Sequence, residues 1–210
     1  MSYIGSKPAN KPVVASDLDP TVITGQTALA TSPADTDEFL ISDAGVLKRL
    51  DASLVGGGGI TEADLWRLTA DFSSDGDITS NLERIDNNSY AKIGTGMSQS
   101  SGIFTFPSTG LYQVRFTMVG EIVADDNILG YIKTTQNNSS YANDALNYVS
   151  GDGGTSAASS SSTEYFFNVT NTSTHKVKFN VISIANGSLI YGNSGTNITF
   201  FTFIRLGDSQ

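Results

Sequence analysis

The sequence predicts an all-β sandwich, and three observations carry that expectation. Its polarity comes from Ser, Thr, Asn and Gly rather than from charge: charged residues make up 16%, hydrophobic residues 39%, and there are 21 glycines. Long solvent-facing helices draw on Glu, Lys and Arg, so this balance suits short strands joined by turns. Next, Tyr112, Val114, Phe116 and Met118 alternate with Leu111, Gln113, Arg115 and Thr117, the period-two pattern of a half-buried strand. Finally, segments of strand length recur at turn-marked intervals from Ile60 onward.

The organisation follows in chain order. Residues 1–36 form an extended arm, because Pro8, Pro12, Pro20 and Pro33 deny it a sustained helix or an interior strand. Its apolar content is too low for a core of its own. Residues 37–55 are read as a β-hairpin, in which Glu38–Ser42 and Val46–Leu50 flank a three-residue loop, Asp43-Ala44-Gly45. A two-stranded hairpin is marginal alone in water, so it is expected to pack on symmetry mates or on another protein. Four glycines at 56–59 form a hinge, and the sandwich occupies 60–210.

Within the sandwich, Thr61-Glu62-Ala63-Asp64 reads as a capped helical turn and Leu65–Leu68 as the first strand. Further strands are expected at Ile103–Phe106, Ile128–Thr134, Tyr165–Val169, Lys176–Ile184, Ser188–Tyr191 and Asn197–Leu206, with Thr155–Thr163 (TSAASSSST) a low-complexity surface loop. The last strand is apolar on both faces. Ile198, Phe200, Thr202, Ile204 and Leu206 point one way, while Thr199, Phe201, Phe203 and Arg205 point the other. One face of each strand in a lone two-sheet sandwich meets solvent. Phe201, Phe203 and Arg205 are therefore expected at an interface between copies.

Charge and composition exclude several function classes. A net charge of −9 repels phosphate backbones, so no nucleic-acid partner is expected. The chain has no cysteine and one histidine, which removes thiol chemistry and multi-histidine metal sites. His175 is expected in an exposed turn. No Gly-x-Ser-x-Gly elbow or phosphate-cradling glycine motif is present, and neither catalysis nor a cofactor is expected. Asp71, Asp75 and Asp77, and the pair Asp125-Asp126, are the acidic groups nearest to a calcium pattern, but EF-hand spacing and its closing glutamate are missing. The Asn-x-Ser/Thr sequons at Asn168 and Asn197 read as an Asn/Thr-rich β surface. Nothing in the first residues, MSYIGSKPANKPVVAS, resembles an export signal, and no apolar run approaches the roughly 20 residues that span a bilayer. Binding is the remaining chemistry. Tyr131, Tyr141 and Tyr148, with Asn138, are expected in or beside polar connections, where aromatic faces and amides can meet a glycan or a protein.

Two resemblances sharpen this. The run Gly102–Phe116 (GIFTFPSTGLYQVRF) resembles C1q/TNF-like domains, with a Gly-x-Phe-Thr strand, a Pro-x-x-Gly turn, then Leu-Tyr and alternating aromatics. Thr199–Leu206 is similar to the closing strand of that family, which lies at the centre of its trimer. Spanning about Leu65 to Leu206, the resemblance implies a homotrimeric jelly-roll sandwich. The chain departs from the pattern at Thr174-His175, where the family has Gly-Asp, and no collagen-like stalk precedes the domain. The N-terminal residues Tyr3-Ile4-Gly5 and Lys7–Pro12, and the segment Ala34–Arg49, look like virion fibre proteins of marine phages. That resemblance implies location on a virion. Tyr3, Ile4, Phe39, Leu40 and Ile41 would anchor the chain to a capsid or tail protein, and the distal β domain would face the host surface. A head-fibre or capsid decoration role is the alternative, and a secreted C1q-like ligand a more distant one.

Overall fold

A computed structural model describes residues 24–25, 27, 33–34, 36–55, 59–123, 127–151 and 156–210. The chain divides into two units, Met1–Gly58 and Gly59–Gln210. Tyr3, Ile4, the prolines up to Pro20, Gly56–Gly58 and Asp125-Asp126 lie outside the described residues.

In the first unit, β1 (Glu38–Asp43) pairs antiparallel with β2 (Val46–Asp51), with Phe39 opposite Leu50 and Ile41 opposite Lys48. The connection is two residues long rather than three. Ala44 and Gly45 both take positive φ, 51° and 82°, which matches the twist of the flanking strands and explains the glycine. Arg49 pairs with Glu38 at 2.9 Å, and Lys48 pairs with Asp43. A 3-10 turn follows at Ala52–Leu54, and the Ala52 N–H donates to the Asp37 carbonyl at 2.7 Å.

The second unit is a jelly-roll sandwich of two antiparallel sheets. Its strands are β3 (Ala63–Leu68), β4 (Gly76–Asp77), β5 (Leu82–Arg84), β6 (Ser98–Ser100), β7 (Ile103–Thr105), β8 (Gly110–Ile122), β9 (Asn127–Thr135), β10 (Ala142–Ser150), β11 (Ala157–Val169), β12 (Lys176–Ile182), β13 (Leu189–Ile190) and β14 (Phe200–Gly207). One sheet runs β10-β9-β12-β7-β6, with β4 also on β12; the other runs β11-β8-β14-β3-β5, with β13 on β8. The incoming and outgoing strands of the unit share one end. Ile204 pairs with Ala63, and the Arg205 N–H donates to the Glu62 carbonyl at 2.9 Å. β10 ends and β11 begins at the opposite end, where Ser150 pairs with Asn127 and Ala157 with Ile122.

Alternation in β8 buries Tyr112, Val114, Phe116 and Met118, as the sequence predicts. The centre of the core is aromatic. Phe179 lies 4.2 Å from Phe201, Phe104 lies 5.1 Å from Phe203, and Trp66 meets Phe104 edge-on at 5.4 Å. The Gly102 turn has φ +78°, and a Cβ there would stand 2.1 Å from the Ile78 carbonyl oxygen, so only glycine fits.

Here the structure corrects several expectations. Phe201 and Phe203 do not face a partner; they are 0% and 1% exposed and fill the space between the sheets. Both faces of β14 are apolar, so alternation alone does not say which is inside, and the rings of Phe104, Phe116 and Phe179 occupy the side facing Phe201 and Phe203. Arg205 is spent within its own chain: it donates to the Thr109 carbonyl, Thr61 and Asp208 at 2.9, 3.2 and 2.6 Å. No helical turn forms at Thr61–Asp64, because Ala63 and Asp64 are drawn into β3 by pairing with β14. Most of the serine-rich run lies in β11, in full register with β8. Ala142–Ser150 is a strand rather than a connection. His175 is buried, stacked 5.6 Å from Phe167 and placed within reach of Thr170 and Thr174.

Candidate functional site

The sandwich presents two outward faces, and each carries exposed apolar side chains, Phe166 and Leu206 on one and Leu146 and Tyr148 on the other. On the β11-β8-β14-β3 sheet, cross-strand register sets the outward rows. Phe166, Gln113, Ile204 and Ala63 form one row; Glu164, Arg115, Thr202 and Leu65 form the next; Ser162, Thr117, Phe200 and Arg67 form the third. Phe166 is 55% exposed and Leu206, two residues beyond Ile204, is 49% exposed. These apolar groups sit at the end where β14 leaves the sheet. The middle row is polar apart from Leu65 and bonds to the rows on either side: Gln113 donates to Glu164 at 2.6 Å, and Arg115 donates to Ser162 at 3.0 Å.

Towards β3 the same face is closed by the chain itself. Arg67 points outward yet is fully buried, because its guanidinium donates to Asn87 and Asp86 at 2.9 and 2.6 Å and to Glu83. On the other side of β3, Asp64 ties the end of the sandwich together. Its carboxylate accepts from the Trp66 indole at 2.9 Å, the Tyr90 hydroxyl and the Met97 N–H at 2.7 Å, and Arg84 Nε at 3.0 Å. Burial pushes the Asp64 pKa up, but these donors outweigh it and hold it below the ordinary aspartate value. Around these clusters the outer face of β14 and β11 is what remains uncovered.

The second face belongs to the β10-β9-β12 sheet. Tyr131 on β9 stands between Leu146 on β10 and Asn180 on β12, and Asn180 pairs with Asp77 on β4. One step along, Leu129 stands between Tyr148 and Ile182; one step the other way, Lys133 stands beside Lys178. Tyr148 is 61% exposed and Leu146 47%. Asp77 accepts from Lys178 at 2.5 Å and Asn180 at 2.8 Å. Burial again acts upward on its pKa, and Lys178, Asn180 and Lys133 together hold it below its ordinary value. Lys178 Nζ also lies 4.2 Å over the Tyr141 ring.

The structure thus brings Tyr131, Tyr148 and Tyr141 to one face, whereas the sequence reading sets them only in or beside polar connections. It leaves Asn138 out. That residue is in the β9–β10 turn with φ +54°, and its N–H donates to the Thr174 carbonyl at 2.9 Å. Sequence reasoning missed Lys133, Lys178 and Asn180, whose only signal is period-two spacing within strands, and met Asp77 only as a possible calcium ligand; its place on this face shows once β4 is seen to pair with β12. In the first unit, Leu40 is 72% exposed and Phe39 40%, while Ile41 is half-buried. Among the described residues, no group of three His, Asp or Glu side chains is placed to hold a metal ion.

With two antiparallel sheets, this core and this strand order, the second unit is a TNF-like jelly roll. The solved structure of Eiger TNF from S. frugiperda aligns with a TM-score of 0.54 and 11% identity, over 72% of this chain and 96% of that one. Murine APRIL, crystallised at pH 8.0, aligns with a TM-score of 0.50 and 14% identity, over 69% and 98%. PRD1 vertex protein P5 aligns over 71% and 100% at 19% identity, but its TM-score of 0.43 is too low to carry an argument. By sequence, no protein family and no curated protein matches the chain. The likeness is one of fold.

Proposed function

We propose that this chain is a non-catalytic virion fibre module. Its N-terminal arm and hairpin dock on a capsid or tail protein, and its jelly-roll head assembles as a homotrimer that contacts the host surface. One observation carries the reading: each unit separately exposes apolar side chains, Phe39 and Leu40 in the hairpin and Phe166 and Leu206 in the head. Patches of this kind mark protein contacts. The C1q/TNF-like resemblance implies which contact the head makes, namely with two further copies of itself. The outer face of β11, β8 and β14 supports this, with Phe166, Phe200, Ile204 and Leu206 taking the place expected for Phe201 and Phe203. Docking of Tyr3, Ile4, Phe39, Leu40 and Ile41 rests on the resemblance of the arm and hairpin to phage fibre proteins.

Light scattering of the full chain tests the assembly. The expected mass is that of three copies, and the double variant Phe166→Glu, Leu206→Glu should fall to one copy without unfolding. A wild-type monomer would end the trimer reading. Deleting residues 1–55 should abolish incorporation into particles while leaving the head folded. The decoration alternative predicts that loss of the chain lowers capsid stability and leaves adsorption unchanged, whereas the fibre reading predicts loss of adsorption.

A further inference from the structure

We propose that the outward face of β10, β9 and β12 binds an acidic glycan, a sugar chain bearing a carboxylate and lying along β9. The inference deepens the attachment reading and rests on it. Its basis is an arrangement of three chemistries in one strip. Leu129, Tyr148 and Ile182 make the apolar end, Tyr131 and Asn180 the middle, and Lys133 with Lys178 the cationic end. From Leu129 to Lys133 the strip runs for about 13 Å, at a strand rise of about 3.3 Å per residue. That is the reach of a short oligosaccharide.

Charge selects the occupant. The chain carries a net charge of −9, yet this strip holds two lysines together, with Asp77 beside them and Asp75 at the apolar end, where it accepts from the Ile184 N–H at 2.8 Å. The lysines are not equivalent. Lys178 is engaged by Asp77 at 2.5 Å and lies over Tyr141. Lys133 stands 3.6 Å from Asp77, beyond hydrogen-bonding distance, and its ammonium makes no hydrogen bond among the described residues. An anionic group on the ligand would fill that donor set. Half-buried Tyr131 beside it and exposed Tyr148 at the far end of the strip offer ring faces for the C–H side of a pyranose and hydroxyls for its oxygens, at little entropic cost. A protein partner fits less well. A stable protein interface takes about 800 Å² from each side, whereas the large side chains exposed on this strip are Leu146 and Tyr148 alone.

The test uses the full chain on an array of oligosaccharides, each immobilised in its carboxylated form and as the neutral methyl ester. Binding to carboxylated members is expected, at least about ten-fold weaker to the ester and weakened by salt. Lys133→Met should lose about ten-fold and Tyr148→Ala about five- to ten-fold, with melting unchanged in each because neither side chain is in the core. The proposal is overturned if no carboxylated glycan is retained, or if the double variant Lys133→Met, Tyr148→Ala holds it as tightly as the wild type. Cell adhesion separates the two levels. Wild-type adhesion that survives in the double variant, or that is removed by protease treatment of the cells and not by glycosidase, sinks this site and leaves attachment standing. If the wild type neither adheres nor competes with particles, the attachment reading falls while the array result still decides the site.

Discussion

Phe201→Ala separates core from interface for the closing strand. The side chain is 0% exposed and meets the rings of Phe179, Phe116 and Phe104 at 4.2, 5.2 and 6.2 Å. Truncating a buried phenylalanine costs about 3–5 kcal/mol through lost transfer energy and the cavity left behind. Three aromatic partners, each contributing about 0.5–1.5 kcal/mol beyond area, place this site in the upper half, at about 4 kcal/mol. For a unit of this size Tm falls about 2–4 °C per kcal/mol, so a loss of about 8–16 °C is expected. The assay is urea unfolding followed by near- and far-ultraviolet circular dichroism, repeated at two widely separated protein concentrations. A core role lowers the midpoint at both concentrations. An interface role makes the loss depend on concentration, since association stabilises by mass action. If Phe201→Ala unfolds at the wild-type midpoint while the assembly falls apart, the burial described for β14 is wrong.

Three further outcomes are expected. Asp64 is held below its ordinary pKa, so its stabilising contribution is complete above about pH 3.9 and lost as pH falls through the lowered value; Asp64→Asn should flatten the acid limb of urea midpoint against pH and cost about 2–3 kcal/mol at neutral pH by leaving Arg84 unpaired. Burial pushes the Tyr90 phenol up to about 12, helped by its bond to Asp64. Its contribution is therefore full below about pH 10 and lost as pH rises through about 12. Tyr112, Tyr141, Tyr165 and Tyr191 are also held above the ordinary phenol, so ultraviolet titration should show a late-ionising group that is smaller by one tyrosine in Tyr90→Phe, which should cost about 1 kcal/mol. Gly102→Ala should destabilise by about 2–4 kcal/mol in chemical denaturation, combining a left-handed backbone with a clash against the Ile78 carbonyl.

Much of the fold is legible because period-two alternation shows wherever one face is wet and the other dry. Tyr112 to Met118 is the clear case, and the pattern yields β8 directly. The same rule fails on β14, where Phe200 and Ile204 are as apolar as Phe201 and Phe203. The choice of inner face is made by Phe104 and Phe179 on distant strands, which no local reading contains. Serines in β11 look like a loop by composition, but their small side chains lie on a ladder set by β8. His175 reads as a turn residue from its neighbours Thr174 and Lys176; only the fold reveals that Phe167 lies against its ring. The tyrosine face was half legible. Residue types at 131, 141 and 148 were recognised as binding chemistry, while their convergence needed the register of β9 against β10 and β12.

Because β3 comes in and β14 goes out side by side, the jelly roll has a wired pole and an unwired one. Eight of the thirteen residues of β8 already carry the chain about 26 Å from one towards the other, at about 3.3 Å per residue. A peptide spliced between Gly151 and Ser156 would stand at the end of the sandwich opposite the Ala63–Ile204 pair. Gln210 lies against Asn168 on β11, so joining it to Gly59 takes a bridge that crosses three strand spacings, about 14 Å; with the chain cut within 152–155 instead, this should give a permuted head with its sheets unchanged.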